Sequence, residues 1–243
     1  MNTFELDLIA ARLEALEETI IHRFIDRAQF AHNAPAYLPK HSGFAGAEEY
    51  SLFKVRLEAQ ERLDAEFGRY VVPEERPYTT GLPAPRRQVV VPDTGIARMP
   101  YDCINQTGKI CSAYLNCLGA LCRPGDDGQH GSSVEHDVSA LQAIARRVHY
   151  GALYVAESKY RRSPEVYREL IQAGDAEQLL RLLTRPEVED AVVTRLAAKV
   201  EHLQAHVNRS IRRIVEPELL VEFYRDIVIP LTKAGQVAYL LRR

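Results

Sequence analysis

GDDGQHGSSVEHDVSALQAIARRVHYGALYVAESKY, residues 125–160, is the stretch whose reading decides the fold. Within it Val138, Leu141, Ala145 and Val148 recur three or four positions apart, the period of a helix with one buried face. Pro124 to Gly128 ahead of it reads as a turn. Ser132 followed three residues later by Glu135 is a capping-box pattern, so the helix is predicted to start at Ser132 and to persist to about Arg162.

The same period extends in both directions. Leu6, Ile9, Leu13, Leu16, Ile20 and Phe24 form one apolar stripe, a long amphipathic helix that should stop at Asn33-Ala-Pro35. Further helices are predicted from Ala47 to Phe67, ended by Gly68, and from Ile104 to Cys122. Pro164 opens a shorter helix, and Gly174-Asp175 separates it from the next. Thr184-x-x-Glu187 should begin another, reaching about Val207, and two more run from Pro217 to Val228 and from Pro230 onward. Residues 70–101 carry Pro73, Pro77, Pro83, Pro85, Pro92 and Pro100, which rules out continuous helix and predicts a long irregular crossing segment. Its Val89–Val91 run is the clearest β-like stretch. The expectation is one all-α domain over residues 1–243, a helical bundle without significant sheet.

Composition narrows the function. The chain has 243 residues, 31 Lys and Arg against 33 Asp and Glu, and a formal charge of −2, which makes no whole-chain case for nucleic acid or an anionic membrane. No apolar run approaches the roughly 20 residues of a membrane span, and the acidic, amphipathic first eighteen residues do not read as a targeting peptide. A cytoplasmic protein is expected. Cys103, Cys111, Cys117 and Cys122 lack the C-x-x-C spacing of zinc or redox sites; small buried hydrophobes are the plainer reading. His202 and His206 share a helix face without a third ligand signal and read as surface or packing histidines. No phosphate loop, G-x-S-x-G or H-E-x-x-H is present.

Residues 125–160 resemble the core of the eukaryotic-type chorismate mutases, and so does the ending RDIVIPLTKAGQVAYLLRR, residues 225–243. IAARLEALEETIIHRFIDRAQF (9–30) and FGRYVVPEERPY (67–78) match the same family in order. The resemblance implies an isomerase that converts chorismate to prephenate, an intramolecular Claisen rearrangement on the Phe and Tyr branch of aromatic amino acid biosynthesis. It implies no cofactor and no metal. Such an enzyme restrains a flexible dianion in a reactive shape and aims fixed donors at the ether oxygen whose bond breaks. Two carboxylates call for guanidinium groups.

By the same resemblance Arg147 binds a carboxylate, Lys159 donates to the ether oxygen and Glu189 accepts from the ring hydroxyl. Thr232 and Gln236 match paired positions on the last helix, four apart and so on one face. Each has a plain structural alternative: Arg147 and Lys159 as solvated helix charges, Glu189 as a cap or ion-pair partner, Thr232 as a helix-face hydroxyl.

Two departures stand out. The family places another carboxylate-binding arginine in the first helix, where this chain has Ala10; Arg12 lies about 200° further round the helix. Arg185, one turn before Glu189, is a candidate replacement, its alternative being a solvated helix-start residue. The second is a spacing. Arg147 and Lys159 are 12 residues apart, one more than the family implies, which overshoots the shared face by about 120°. A π-bulge between Gly151 and Ala156 would absorb the extra residue.

The family resemblance further implies a homodimer and, at its interface, an aromatic amino acid effector (Phe, Tyr or Trp). Arg69, Gly131 and Ser132 match positions of that pocket, and they equally suit a turn glycine and a cap. Two other readings compete with an active enzyme: a weakened or repurposed homologue, and a non-catalytic helical protein that binds aromatic amino acids.

Some relatives carry glutamate at position 236, which donates to the ether oxygen only when protonated, whereas an amide donates at any ordinary pH. Activity should therefore persist through neutral pH, and Gln236→Glu should move the optimum of the pH–rate profile downward. A profile indifferent to that substitution would remove Gln236 from the site.

Overall fold

The computed structural model describes residues 4–91, 93–97 and 103–243. Ten α-helices occur among them: α1 (Leu6–Arg27), α2 (Leu52–Glu66), α3 (Thr107–Leu121), α4 (His130–Tyr150), α5 (Ala156–Arg162), α6 (Pro164–Ala173), α7 (Ala176–Leu183), α8 (Pro186–Gln204), α9 (Pro217–Phe223) and α10 (Ile229–Leu240). No strand is present among the described residues; Ala31 and Arg123 form an isolated bridge. The architecture is all-α, as the periodicity requires. Val89–Val91 is irregular, and so is the rest of the crossing segment as far as it is described, apart from a 3₁₀ turn at Arg69–Val71. Pro92 and Pro100 lie outside the described residues.

Several boundaries differ from expectation. The first helix ends at Arg27, six residues before Asn33, because the Arg27 guanidinium folds the chain back onto itself by donating to the carbonyls of Ala31 and His32. The helix predicted from Ala47 begins at Leu52, where the Ser51 hydroxyl accepts from the Lys54 amide. That predicted from Ile104 starts at Thr107, whose amide donates to the Asn105 side chain. Neither capping box forms. α4 starts at His130, two residues before Ser132, after a turn in which Asp126 and Asp127 accept from the Gly128 and Gln129 amides. α8 starts at Pro186, and the Thr184 hydroxyl turns back to donate to Leu180.

Two apolar clusters build the interior. The larger packs Ile20, Ile21 and Phe24 of α1 against Leu141, Ile144 and Val148 of α4, with Leu196 of α8 and Phe223 of α9. The smaller joins Ile9 of α1 to Leu153, Leu179 and Leu183, and to Tyr239 of α10. α1 and α4 are also tied by a fully buried ion pair, Arg27 Nε to Asp137 Oδ1 at 2.7 Å. Tyr37 and Tyr114 donate their hydroxyls to the same carboxylate at 2.6 and 2.9 Å. A buried pair stabilises only when its remaining lone pairs are occupied in this way.

From His130 to Arg162 the chain stays helical, and the expected bulge is present: residues Gly151–Val155 form a π turn between α4 and α5. A second π turn, Tyr224–Val228, joins α9 to α10 and was not foreseen. The first turn lies directly on α10. A Cβ added at Gly235 would stand 2.7 Å from Ala152 Cβ, and one at Gly151 would stand 2.8 Å from Thr232 Cγ2 and 3.0 Å from an Arg147 nitrogen. Two glycines thus allow the backbones to approach, and the approach sets where Arg147, Thr232 and Gln236 lie.

Alanine normally gains about 1 kcal/mol over glycine inside a helix. Gly235→Ala should nonetheless lower the denaturation midpoint, because overpacking costs about 1–3 kcal/mol and the Ala152 backbone is held by the π turn. Stability equal to or above the parent would show that the helices part freely.

Candidate active site

A cavity of about 300 Å³ opens where α1, the end of α4, α5, the start of α8 and α10 converge. Arg147, Lys159, Arg185, Glu189, Thr232 and Gln236 all line it, so the six residues singled out from the sequence for substrate contact come together. The α1 wall is apolar around Ala10, with Leu6, Ile9 and Leu13, and adds one acid, Asp7. Arg12 is not part of this lining; its guanidinium reaches the Tyr150 hydroxyl at 3.5 Å, on the face expected from the helical period.

The bulge is what aligns the cations. Arg147 comes from the last turn of α4 and Lys159 from α5, and the wider π turn between them rotates the later residue back toward the earlier one. Arg147 is 6% exposed, and its Nε and one Nη have no protein partner. Burial pulls its pKa below the ordinary arginine range, yet a guanidinium stays protonated in proteins. A buried, unpaired cation is costly unless an anion joins it. Three of the other groups are held in place by backbone carbonyls. Lys159 Nζ donates to Leu183 at 2.9 Å, Gln236 Nε2 to Gly151 at 3.2 Å, and Thr232 Oγ1 to Val228 at 2.7 Å. Burial first, then the neighbouring Arg185 guanidinium, bring the Lys159 ammonium down to about 8 against an opposing pull from Glu189.

Lys233 was missed. It lines the cavity and donates to both oxygens of Glu189 at 2.9 and 3.1 Å. Being one residue from Thr232, it sits about 100° around the helix, so no spacing rule flagged it. With it, four cationic side chains face two anionic ones, an excess of two positive charges suited to a dianion.

The residues singled out for an effector do not share one cavity within the chain. Gly131 and Ser132, in the first turn of α4, line a separate cavity with Phe44, Val55 and Arg56. Arg69 is held instead by Asp64, Glu75 and Gln142 at 3.0, 3.1 and 2.6 Å. His202 and His206 are exposed, and no group of three potential metal ligands occurs among the described residues.

No family model matches the chain. Individual relatives do. It is 37% identical over 256 residues to chorismate mutase 1, chloroplastic, of Petunia hybrida, covering all of this chain and 76% of that protein. The Aro7p chorismate mutase of Candida albicans, solved in complex with L-Trp, superposes with a TM-score of 0.92 at 29% identity, over 99% of this chain and 92% of that one. AtCM1, solved with phenylalanine bound in an allosteric site, gives a TM-score of 0.88 at 35% identity, over 100% and 97%. With curated relatives matched over its full length and the helical fold shared throughout, the chain belongs to the chorismate mutase family.

Proposed function

We propose that the cavity between α1, α4, α5, α8 and α10 is where the chain carries out its family's reaction, the rearrangement of chorismate to prephenate. The observation that carries this is the Arg147 guanidinium, buried with two nitrogens unpartnered beside Lys159, Arg185 and Gln236. A doubly negative substrate supplies the missing counter-charge. Arg147 takes one carboxylate. Arg185 takes the other, supplying the charge that Ala10 does not offer. Lys159 and the Gln236 amide converge on the ether oxygen, whose negative charge grows as the bond to the ring breaks. Glu189 accepts from the ring hydroxyl, and Thr232 shapes the wall beside Gln236. The rearrangement moves electrons within one molecule, so the side chains neither form a covalent bond with substrate nor pass it a proton. Their contribution is restraint and a preorganised field.

The product's use on the Phe and Tyr branch and assembly as a homodimer complete the reading. An aromatic amino acid effector is placed in the cavity at the start of α4. There the amides of Gly131 and Ser132 belong to the first turn, whose N–H groups have no partner within the helix and suit a carboxylate. Arg56 Nε, buried without a partner, adds a positive wall. Arg69 serves this pocket only across a dimer interface, since within one chain its ion pairs hold it apart. The four cysteines are free, which fits the reducing cytoplasm.

Purified protein should consume chorismate without additives, followed by loss of chorismate absorbance. Arg147→Met should lower kcat/KM by about 10²-fold or more, the scale of removing one partner of a buried, hydrogen-bonded charge pair, and Arg185→Ala should raise KM. An unchanged KM for Arg185→Ala would end its assignment to a carboxylate.

Lys159 gives a pH signature. Its folded-state pKa is depressed to about 8, so in the free enzyme the donating ammonium is present below that pH and lost as pH rises through it. Since kcat/KM reports the free enzyme, it should fall above about pH 8, while kcat holds to higher pH because the bound dianion favours the ammonium. Arg185→Ala should move the kcat/KM limb upward, because Arg185 is one of the groups lowering Lys159. A kcat/KM flat across pH 7–10 would remove Lys159 from the ether oxygen.

A further inference from the structure

Among the four cations of the cavity, Lys233 is the one paired with an acid of the same cavity. Its ammonium donates to Glu189 Oε1 at 2.9 Å and Oε2 at 3.1 Å, bridging α10 to the first turn of α8. The two side chains are 21% and 30% exposed, unlike the outlying pair Lys40–Glu49 at 71% and 76%. The Lys233–Glu189 pair therefore sits at the cavity edge, where screening is weaker than at the open surface.

Glu189 poses a problem for its proposed role. A glutamate side chain has three rotatable bonds, and here it hangs from a helix start whose N-cap, Arg185, uses no side-chain cap. Left alone, that carboxylate would sample several directions and repel an incoming dianion. Lys159 makes no hydrogen bond to it; its ammonium donates to the Leu183 carbonyl and keeps its other protons for substrate. A carboxylate offers about four acceptor positions; Lys233 occupies two and leaves the others for a hydroxyl. Lys233 is itself anchored on the face next to Thr232, on the helix that the Gly235–Ala152 approach fixes.

We propose that Lys233 is a positioning residue of this site: it locks the Glu189 carboxylate across the junction of α8 and α10 so that a free lone pair meets the substrate's ring hydroxyl. Lys233 acts through Glu189 and does not touch the substrate. The inference rests on the reading of Glu189 as the hydroxyl acceptor. That contact exists in the ground state and the transition state alike, so its loss should appear in KM rather than kcat.

The test is a double-mutant cycle in steady-state kinetics with chorismate, using Lys233→Met, Glu189→Gln, their combination and Lys233→Arg. Lys233→Met should raise KM roughly five- to tenfold with kcat held within about twofold, the size of losing one partly desolvated charge partner. On the Glu189→Gln background the same change should add less than about twofold, and Lys233→Arg should restore most of the parent KM. Penalties that multiply would overturn the lock, since a lysine acting only as a distant positive charge attracts the dianion whatever stands at 189. A parent-like KM for Lys233→Met, with Glu189→Gln impaired, would overturn it as well. Parent-like kinetics for Glu189→Gln would instead strike at the hydroxyl-acceptor reading itself and take the lock with it.

Discussion

The close approach of α10 to the π turn at Gly151–Val155 governs the rest of this molecule. Ala152 and Gly235 meet without room for another methyl, and Gly151 stands against Thr232 and Arg147. Close-packed interiors transmit small displacements, so a widening of this contact would move Thr232 and Gln236 away from Arg147 and Lys159 together. The π turn carries two duties at once. It brings Arg147 and Lys159 onto one cavity across a spacing that a regular helix would splay apart. It also presents the Gly151 carbonyl that holds the Gln236 amide.

Around that contact the charges are arranged in opposite ways in two places. In the α1–α4 core, Arg27 and Asp137 are both fully buried, and the surrounding tyrosine hydroxyls and backbone carbonyls satisfy them. That network is closed and structural. In the cavity, Arg147 is nearly as deep yet left with unpaired nitrogens. Folding tolerates the cost because the two apolar clusters on either side hold the helices regardless of what the cavity contains. A local penalty of this kind is expected where a site is built for a ligand rather than for stability.

How much was legible varied with the physics behind each element. Helices were readable because burial of one face imposes a period, and α1, α4 and α8 have long apolar stripes. Their starts were less so. Ser132–Glu135 and Thr184–Glu187 have the capping-box composition, but the Asp126–Asp127 turn and Pro186 each set the start elsewhere. Local competition among hydrogen-bond partners is not recoverable from spacing. The π turn at 151–155 was foreseeable only because 12 residues had to span a face that 11 would reach. The one at Tyr224–Val228 had no such arithmetic and went unread.

The amino-acid sequence by itself determined the helical class, the irregular proline-rich crossing and the kinship of the chain, since these follow from periodicity, from proline's missing donor and from long ordered motifs. It also named three of the four cations, and the amide, that line the cavity. Only the tertiary structure decided that Ala10 leaves one wall apolar, that Arg69 stands apart from Gly131 and Ser132, and that Lys233 grips Glu189. Those outcomes depend on distances between helices far apart in the chain, and such distances are set by side-chain volume at the crossings, which no local pattern encodes.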